Sequence, residues 1–324
     1  MSKDNTLNDK GPDEAIVKSG FGRRRFLHMT GLTSAAALTS ALAMPSAHAN
    51  TAPPPANSDF VLQLNGSSVD DVSALEPLAF AGFAHATYFQ LRNNQARALD
   101  LHLKRLRDAS IELYGVALPD EQVQSYLRAA VQVGPPDLSV IATIYSPAGE
   151  FTATGHDAMP QMLVRTLGPW PAPKGPLTLA AFEHERDLPQ VKHVGEVGKT
   201  YYMRQAAEQG FDDAVFIDCR GRISEGTIWN LAFWDGEAVI WPDAAILLGT
   251  TMGIVRRQLD RLGVPQRVQE VRREDLSGLS GAAVMNSLTP GIAVNGIGDV
   301  PIPEAPDFIA RLHEAFAAET PTPL

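Results

Sequence analysis

Residues 191–233 read VKHVGEVGKTYYMRQAAEQGFDDAVFIDCRGRISEGTIWNLAF, and this stretch decides the fold and the candidate chemistry. Lys192 stands near its start, a helical pattern follows over 197–209, and the apolar run at 214–218 is typical of a strand. Glu225 follows Lys192 by 33 positions. The stretch therefore predicts a helix and strands that connect an amine at one end to a carboxylate at the other.

Strand-like and helical segments alternate on both sides of this stretch. Residues 168–176 interrupt them with four prolines, which cannot continue a helix or a central strand. The pattern predicts a two-domain α+β or α/β protein. We expect a linker at 50–58, a small N-terminal α/β domain at 59–168, an interdomain loop at 169–176 and a large C-terminal domain at 177–324. Predicted strands cover 60–64, 86–91, 139–145, 162–167, 177–183, 214–218, 231–235, 237–241 and 282–286; predicted helices cover 97–115, 121–133 (with Asp120 as N-cap), 197–209, 252–262 and 305–317.

Composition excludes several classes of protein. The chain has 324 residues, of which 44% are hydrophobic and 20% charged, and its formal net charge is −10. A negative charge argues against a general nucleic-acid or anionic-membrane binder, because both need a basic surface. Cys219 is the single cysteine, so neither an internal disulfide nor a cysteine-based zinc site is expected. No apolar run is long enough to predict a stable membrane anchor, and no metal site is expected.

The first 49 residues have the parts of an export signal. Arg23, Arg24 and Arg25 precede a weakly apolar stretch, and Ala47-His48-Ala49 forms a small-residue cleavage site. The paired arginines resemble a twin-arginine (Tat) signal, which implies the Tat export machinery as a partner and the periplasm as the destination. We expect cleavage near Ala49.

The central stretch also resembles a family. Class IV aminotransferases, which include branched-chain aminotransferases, D-amino-acid transaminases and aminodeoxychorismate lyases, carry a lysine, a helix, and then an acidic, glycine-containing strand pair that ends in E-x-x-x-x-N. Ala232 departs from the pattern, because it stands where the family has an aromatic residue. Phe233 follows one position later. The positions that fill the pattern are Lys192, Asp212, Asp213, Asp218, Gly221, Ile223, Glu225, Asn230 and Leu231.

Three further motifs agree with this resemblance. His102-Leu103-Lys104-Arg105-Leu106 is similar to the family's H-x-x-R-L, whose arginine binds the cofactor phosphate. Gly249-Thr250-Thr251 is similar to a turn that opens a helix, although Met252 stands where the family usually has arginine. Asn286-Ser287-Leu288 is similar to a late motif near the phosphate.

The resemblance implies pyridoxal 5'-phosphate as cofactor, a D-amino-acid aminotransferase-like fold (fold type IV) and a homodimer. The chemistry of that cofactor needs a lysine amine and an acid opposite the pyridine nitrogen, which suit Lys192 and Glu225. It also needs donors for a dianionic phosphate. Arg105 can supply charge-assisted hydrogen bonds, and Thr250 and Thr251 can supply N–H groups at a helix start. The hydroxyl of Ser287 is a further candidate.

Plainer interpretations remain open for several of these residues. Arg105 belongs to a basic helix face that solvent can cover, and Thr250 with Thr251 can serve only as helix caps. Lys199 is interpreted as a helix-surface residue, because it lies too close to Glu225 for the family spacing. His102, His193 and Asn230 are interpreted as structural. Candidate substrate contacts are His85, Tyr88, Arg92 and Trp229, with Tyr88 and Arg92 on one face of a strand and His85 on the other.

Taken together, these patterns predict an exported pyridoxal-phosphate-dependent aminotransferase with a small-molecule amino donor and a keto acceptor. A second hypothesis is a lyase of the aminodeoxychorismate type, and a third is a protein that binds the cofactor or an amine without turnover. Export also suggests a role in finishing a peptide siderophore of the pyoverdine kind.

Overall fold

The computed structural model describes residues 60–149 and 158–324. The predicted signal peptide and linker lie outside the described residues. None of the helices described is both long and apolar enough to cross a membrane.

The described chain contains both strands and helices. The strands are β1 Leu62–Leu64, β2 Ser67–Ser68, β3 Ala84–Leu91, β4 Gln95–Arg97, β5 Leu138–Tyr145, β6 Gln161–Leu167, β7 Leu177–Glu183, β8 Asp213–Ile217, β9 Ile223–Gly226, β10 Asn230–Trp234, β11 Val239–Pro242, β12 Gln266–Gln269, β13 Gly281–Asn286, β14 Thr289–Ile297, β15 Val300–Pro301 and β16 Pro321–Pro323. The α-helices are α1 Glu76–Ala81, α2 Leu99–Tyr114, α3 Asp120–Val131, α4 Val197–Glu208, α5 Thr250–Arg261 and α6 Pro306–Ala318.

The smaller sheet has the strand order β2-β1-β6-β5-β3, and every pairing in it is antiparallel. Its inner face carries Val140, Ala142 and Ile144 of β5, which belong to a core shared with Leu106 of α2 and Leu127 of α3. Alternate residues of an antiparallel strand face the same side. The two helices therefore bury one face of this sheet.

The larger sheet follows the path β12-β11-β10-β13-β14-β7-β8-β9, with β15 paired to β14. It is mixed, because β7 runs parallel to both β14 and β8 while most other pairs are antiparallel. Helices α5 and α6 share one core with this sheet through Val255, Leu259 and Leu312, and α4 packs on β8 through Ala206. The ends of β9 and β13 and the start of α5 lie around one cavity.

Most of the predicted elements occur with ends within about two residues of those expected. The fold is a two-domain α+β arrangement, and residues 168–176 stand between the last strand of the smaller sheet and the first of the larger. The strand β14 was not predicted, because it contains Pro290, Gly291 and Gly296, and proline and glycine are uncommon inside strands. The N-cap prediction was also wrong: Pro119 is the N-cap, whereas Asp120 is the first helical residue and binds Arg107.

Candidate active site

Lys192 is fixed against the edge of the smaller sheet. Its carbonyl accepts a hydrogen bond of 2.9 Å from the Ala86 N–H, and the Val194 N–H donates one of 2.9 Å to the Ala84 carbonyl. The Lys192 Nζ atom lies 4.8 Å from the centre of the Tyr88 ring, over its face. Backbone pairing to β3 therefore sets the direction in which the lysine points, and an aromatic ring limits its movement.

The surroundings of Lys192 favour its neutral form. Burial lowers its pKa to about 7, and the charges of Lys199, Arg105 and Arg186 add to that effect. Glu225 acts in the opposite direction, but its contribution is smaller. An amine must be unprotonated to attack a carbonyl carbon. Lys192 therefore presents a nucleophile near neutral pH, where an ordinary lysine is almost entirely protonated.

Glu225 lies in β9 and is buried. Its Oε1 accepts a hydrogen bond of 2.9 Å from Arg186 Nη1, and its Oε2 accepts one of 3.2 Å from the Leu247 N–H. The Arg186 side chain is only 2% exposed. A buried carboxylate is costly unless it is paired and hydrogen-bonded, and here both oxygens have donors. The site therefore contains a carboxylate of fixed position that faces the same cavity as Lys192.

Arg186 connects this carboxylate to the lysine segment. Its Nη2 donates a hydrogen bond of 2.9 Å to the Val191 carbonyl, next to Lys192 in the chain, and its Nε donates one of 2.7 Å to Glu196 Oε2. One planar guanidinium thus contacts the candidate acid and both sides of the lysine. Arg186 was not predicted from the sequence, because no short motif marks it.

The start of α5 presents N–H groups that suit an anion. Thr250 and Thr251 are buried in its first turn, and Gly249 is the N-cap. The first N–H groups of a helix have no partner within the helix, and the helix dipole adds positive potential there. Arg105 Nη2 donates a hydrogen bond of 2.8 Å to the carbonyl of Leu248, which places the guanidinium beside this turn. The predicted helix start at 252 is thus two residues late.

Close packing requires glycine at position 249. A Cβ there would lie 1.9 Å from Asn230 Oδ1. Asn230 is itself held by a hydrogen bond of 2.7 Å from its Nδ2 to the Leu247 carbonyl. Asn230 therefore shapes the turn, in agreement with the structural role predicted for it. The turn formed by Gly249, Thr250 and Thr251, called the anion cradle below, is therefore closely packed and presents N–H donors.

Burial also leaves Arg105 without full compensation. Its pKa is lowered to about 10 by burial, with a further contribution from the charge of Arg186. None of the carboxylates described lies within ion-pair distance of Arg105. An anion bound between Arg105 and the start of α5 would relieve this cost. The donor set therefore fits a phosphate group.

These groups surround one cavity of about 190 Å³. Eight of the ten predicted site residues line it, and the turn at Asn286, Ser287 and Leu288 closes one side. The eight are Tyr88, Arg105, Lys192, Glu225, Trp229, Thr250, Thr251 and Ser287.

Trp229 is held in place by Asp213. The Trp229 Nε1–H donates a hydrogen bond of 2.7 Å to Asp213 Oδ2, and the Thr227 hydroxyl donates one of 2.6 Å to Asp213 Oδ1. Burial raises the pKa of Asp213, while these donors favour its ionised form. The indole therefore forms a fixed wall of the cavity.

Two of the predicted substrate contacts lie elsewhere, which corrects the prediction. His85 is fully buried on the opposite face of β3, where its Nε2 lies 2.9 Å from the Ser110 hydroxyl, and burial lowers its pKa to about 3. Arg92 is exposed beyond the end of β3, and its Nη1 donates a hydrogen bond to the Leu91 carbonyl. Neither residue lines the cavity. The alternation along the strand explains His85, and the end of the strand explains Arg92.

Two further cavity residues were not predicted. Lys199 was interpreted as a helix-surface residue, but it lies in the first turn of α4 and lines the cavity. Trp170 comes from the proline-rich segment between the sheets and also lines it. His102 is structural as expected, since its Nδ1 lies 2.7 Å from the Thr87 hydroxyl.

Comparison with known proteins agrees with this geometry. The family model described as "Amino-transferase class IV" matches residues 85–297. No curated protein sequence matches the chain.

Solved structures with the same fold are distant in sequence. The branched-chain aminotransferase from Escherichia coli is 16% identical with a TM-score of 0.71, covering 82% of this chain and 95% of its own. The branched-chain aminotransferase from T.th., complexed with N-(5'-phosphopyridoxyl)-L-glutamate, is 18% identical with a TM-score of 0.69, covering 79% and 92%. A putative 4-amino-4-deoxychorismate lyase from Legionella pneumophila is 16% identical with a TM-score of 0.67, covering 78% and 95%.

The family match extends over most of the folded chain and contains the lysine, the buried carboxylate and the start of α5. Since an amine, an acid and an anion cradle surround one cavity, the donor set also suits the cofactor that this family uses. The chain therefore belongs to the class IV aminotransferase family, whose cofactor is pyridoxal phosphate.

Proposed function

We propose that the protein is an exported transaminase, which moves an amino group between an amino acid, or the amino-acid side group of a peptide product, and a keto acid. The observation that carries this proposal is the shared cavity of Lys192 and Glu225, with the anion cradle of α5 on its border. An amine, an acid and phosphate donors are the groups that this reaction requires.

Each residue has a distinct part in the reaction. Arg105 and the N–H groups of Thr250 and Thr251 would hold the cofactor phosphate, while Glu225 would face the pyridine nitrogen and Lys192 the aldehyde carbon. When bound, pyridoxal phosphate supplies that aldehyde and a ring that accepts electrons from the substrate. The free amine of Lys192 can then remove a proton from the substrate Cα.

Glu225 acts through its charge. Arg186 and the Leu247 N–H hold both of its oxygens in place, so the carboxylate needs no reorganisation during the reaction. In a buried site, a carboxylate favours a positive charge on a neighbouring nitrogen more strongly than it would in water. We infer that Glu225 keeps the ring nitrogen protonated.

Visible absorption of the loaded protein tests the proposal. Wild-type protein should bind pyridoxal phosphate with a visible band that glutamate converts to the aminated form, while Lys192→Ala should lack the covalent link to the protein. A protein that shows no cofactor band after pyridoxal phosphate is supplied would contradict the proposal.

A lyase of the aminodeoxychorismate type is a second candidate. Lys192-His193 and the 285–288 segment resemble that branch of the family, and export opposes it, because folate precursors are made in the cytoplasm. Release of pyruvate from aminodeoxychorismate without any keto acceptor would favour the lyase.

A third hypothesis is a protein that binds the cofactor or an amine without turnover. It would be supported by a visible cofactor band that sodium borohydride reduces but that no tested amino donor converts.

We also propose that the protein acts in the periplasm on a siderophore of the pyoverdine kind, where a glutamate group becomes a keto acid. Two points support this role. The sequence carries a twin-arginine pattern, and an enzyme that acts in the periplasm needs a substrate that is present there. Incubation with a glutamate-bearing precursor should give the keto form by mass spectrometry, and an unchanged mass would oppose this role. Export predicts that Arg23→Lys with Arg24→Lys abolishes recovery from the periplasm.

A homodimer is the proposed assembly. Phe80 and Val197 are 80% and 82% exposed, which is unusual for apolar side chains. The two segments that carry them approach each other at Gly82 and Gly195, because a Cβ on Gly195 would lie 3.2 Å from the Gly82 carbonyl oxygen. A second copy could bury this face, beside the Lys192 segment. Val197→Asp should reduce the mass measured by light scattering to that of a monomer if the proposal holds.

A further inference from the structure

Lys199 is a cavity residue with no assigned partner. It lies in the first turn of α4, seven residues after Lys192, and both lysines line the same cavity. Within residues 60–149 and 158–324, its ammonium group forms no ion pair with a carboxylate. Such a charge, partly removed from water and left unpaired, destabilises a protein unless a ligand compensates it.

The other charged groups of the cavity can each be matched to a partner. Arg186 is bound to Glu225 and Glu196, and Glu225 is the only carboxylate residue among the cavity lining described. Under the proposed function, Arg105 holds the cofactor phosphate and Lys192 faces the aldehyde carbon of the cofactor. Lys199 is then the remaining cation, and a second anionic oxygen would complete the charge balance.

The environments of the two lysines also separate their roles. Burial lowers the pKa of Lys192 to about 7 and that of Lys199 to about 8, and the charge of Arg186 contributes to both. Glu225 and Glu196 partly restore the pKa of Lys199. Two carboxylates therefore favour the charged form of Lys199, whereas Glu225 alone does so for Lys192. Neighbouring groups whose environments differ in this way commonly divide nucleophilic and charge-binding tasks.

We propose that Lys199 is a second ligand-binding lysine, whose ammonium group holds an anionic oxygen of the molecule bound at Lys192. This inference rests on the proposed function, because that function supplies the ligand. Two sources carry such an oxygen: the ring hydroxyl of the cofactor, which ionises, and the carboxylate of the amino-acid substrate. The contact is lost as the pH rises and Lys199 gives up its proton.

Four proteins distinguish the two sources: the full-length wild type, Lys199→Met, Lys199→Arg and, as a matched control, Lys174→Met. Lys174 is exposed and does not line the cavity. Each protein is loaded with pyridoxal phosphate, and its visible absorption is titrated from acid to alkaline pH. Each is then titrated with succinate, an unreactive dicarboxylate, to measure a dissociation constant. Thermal unfolding checks that Lys199→Met is folded, as expected when a buried charge is replaced by an apolar side chain.

If the cofactor ring supplies the oxygen, Lys199→Met should raise the pKa of the absorption change by about one unit, because a neighbouring positive charge has been removed. If the substrate supplies it, the dissociation constant for succinate should rise about tenfold, as expected for one charge-assisted hydrogen bond. Lys199→Arg should restore most of either effect, and Lys174→Met should show none.

Wild-type-like values for Lys199→Met in both titrations would overturn the inference and leave the proposed function standing. Equal changes in Lys174→Met would also overturn it, because the effect would then follow from the loss of any lysine charge and not from the position of Lys199. A wild type that takes up no cofactor would instead contradict the proposed function itself.

Discussion

Arg186 and Glu225 form a buried ion pair, with 2.9 Å between Arg186 Nη1 and Glu225 Oε1 and side chains that are 2% and 8% exposed. The same guanidinium donates a hydrogen bond to the Val191 carbonyl beside Lys192. The pair therefore determines the position of the candidate acid relative to the candidate nucleophile, although the two lie on different segments of the chain.

Removing the guanidinium should destabilise the protein strongly. Arg186→Met leaves Glu225 and Glu196 without their main partner, and breaking a buried pair in this way costs about 3–5 kcal/mol. Denaturation in urea measures the free energy of unfolding. Arg220→Met is the matched control, because Arg220 pairs with Glu270 on the surface, where such a pair contributes at most about 1 kcal/mol. Similar losses in the two variants would show that the buried pair contributes no more to the free energy of unfolding than the surface pair does.

The reactivity of Lys192 should rise with pH through about 7 and level off above that value. The sign follows from the lowered pKa, because the free amine is the reactive form and its fraction increases as the pH passes the pKa. The rate at which sodium borohydride traps pyridoxal phosphate on the protein measures this reactivity, with Lys192→Ala as the control for other lysines. A rate that continues to climb towards the pKa of an ordinary lysine would contradict the expectation.

Gly249→Ala should weaken cofactor binding by about tenfold or more. The added methyl group would approach Asn230 Oδ1 to 1.9 Å, so the turn before Thr250 must move and its N–H groups lose alignment with a phosphate. The dissociation constant for pyridoxal phosphate is measured by the growth of the visible band. Gly278→Ala is the control, since a Cβ there has no neighbour within 4 Å. Equal binding in the two variants would exclude this cradle as the phosphate site.

Arg92→Ala should leave kcat/KM within about twofold of wild type, because Arg92 is exposed and lies outside the cavity. Tyr88→Ala should lower kcat/KM by about tenfold or more, because it removes the ring that lies against the Lys192 amine and widens the cavity. Both values come from initial rates with one amino donor. A larger loss for Arg92 than for Tyr88 would return Arg92 to the substrate site.

Residues that are close in sequence were predicted well. Lys192 and Glu225 lie at the two ends of one helix-and-strand unit, so their spacing carries information that can be read without coordinates. Thr250 and Thr251 follow from the same logic, because a helix start exposes its N–H groups wherever it occurs. Alternation along β3 likewise separated Tyr88 from His85.

The tertiary structure decided which of those faces meets the cavity and which distant residues join it. Alternation cannot say whether Tyr88 or His85 faces the core, because either face of a strand can be buried, and here His85 packs against α2 through Ser110. Arg186, Lys199 and Trp170 come from three segments with no shared motif, and only the packing of α4 and the two sheets brings them together. Their roles depend on charge and burial, which are properties of the assembled site rather than of any stretch of sequence.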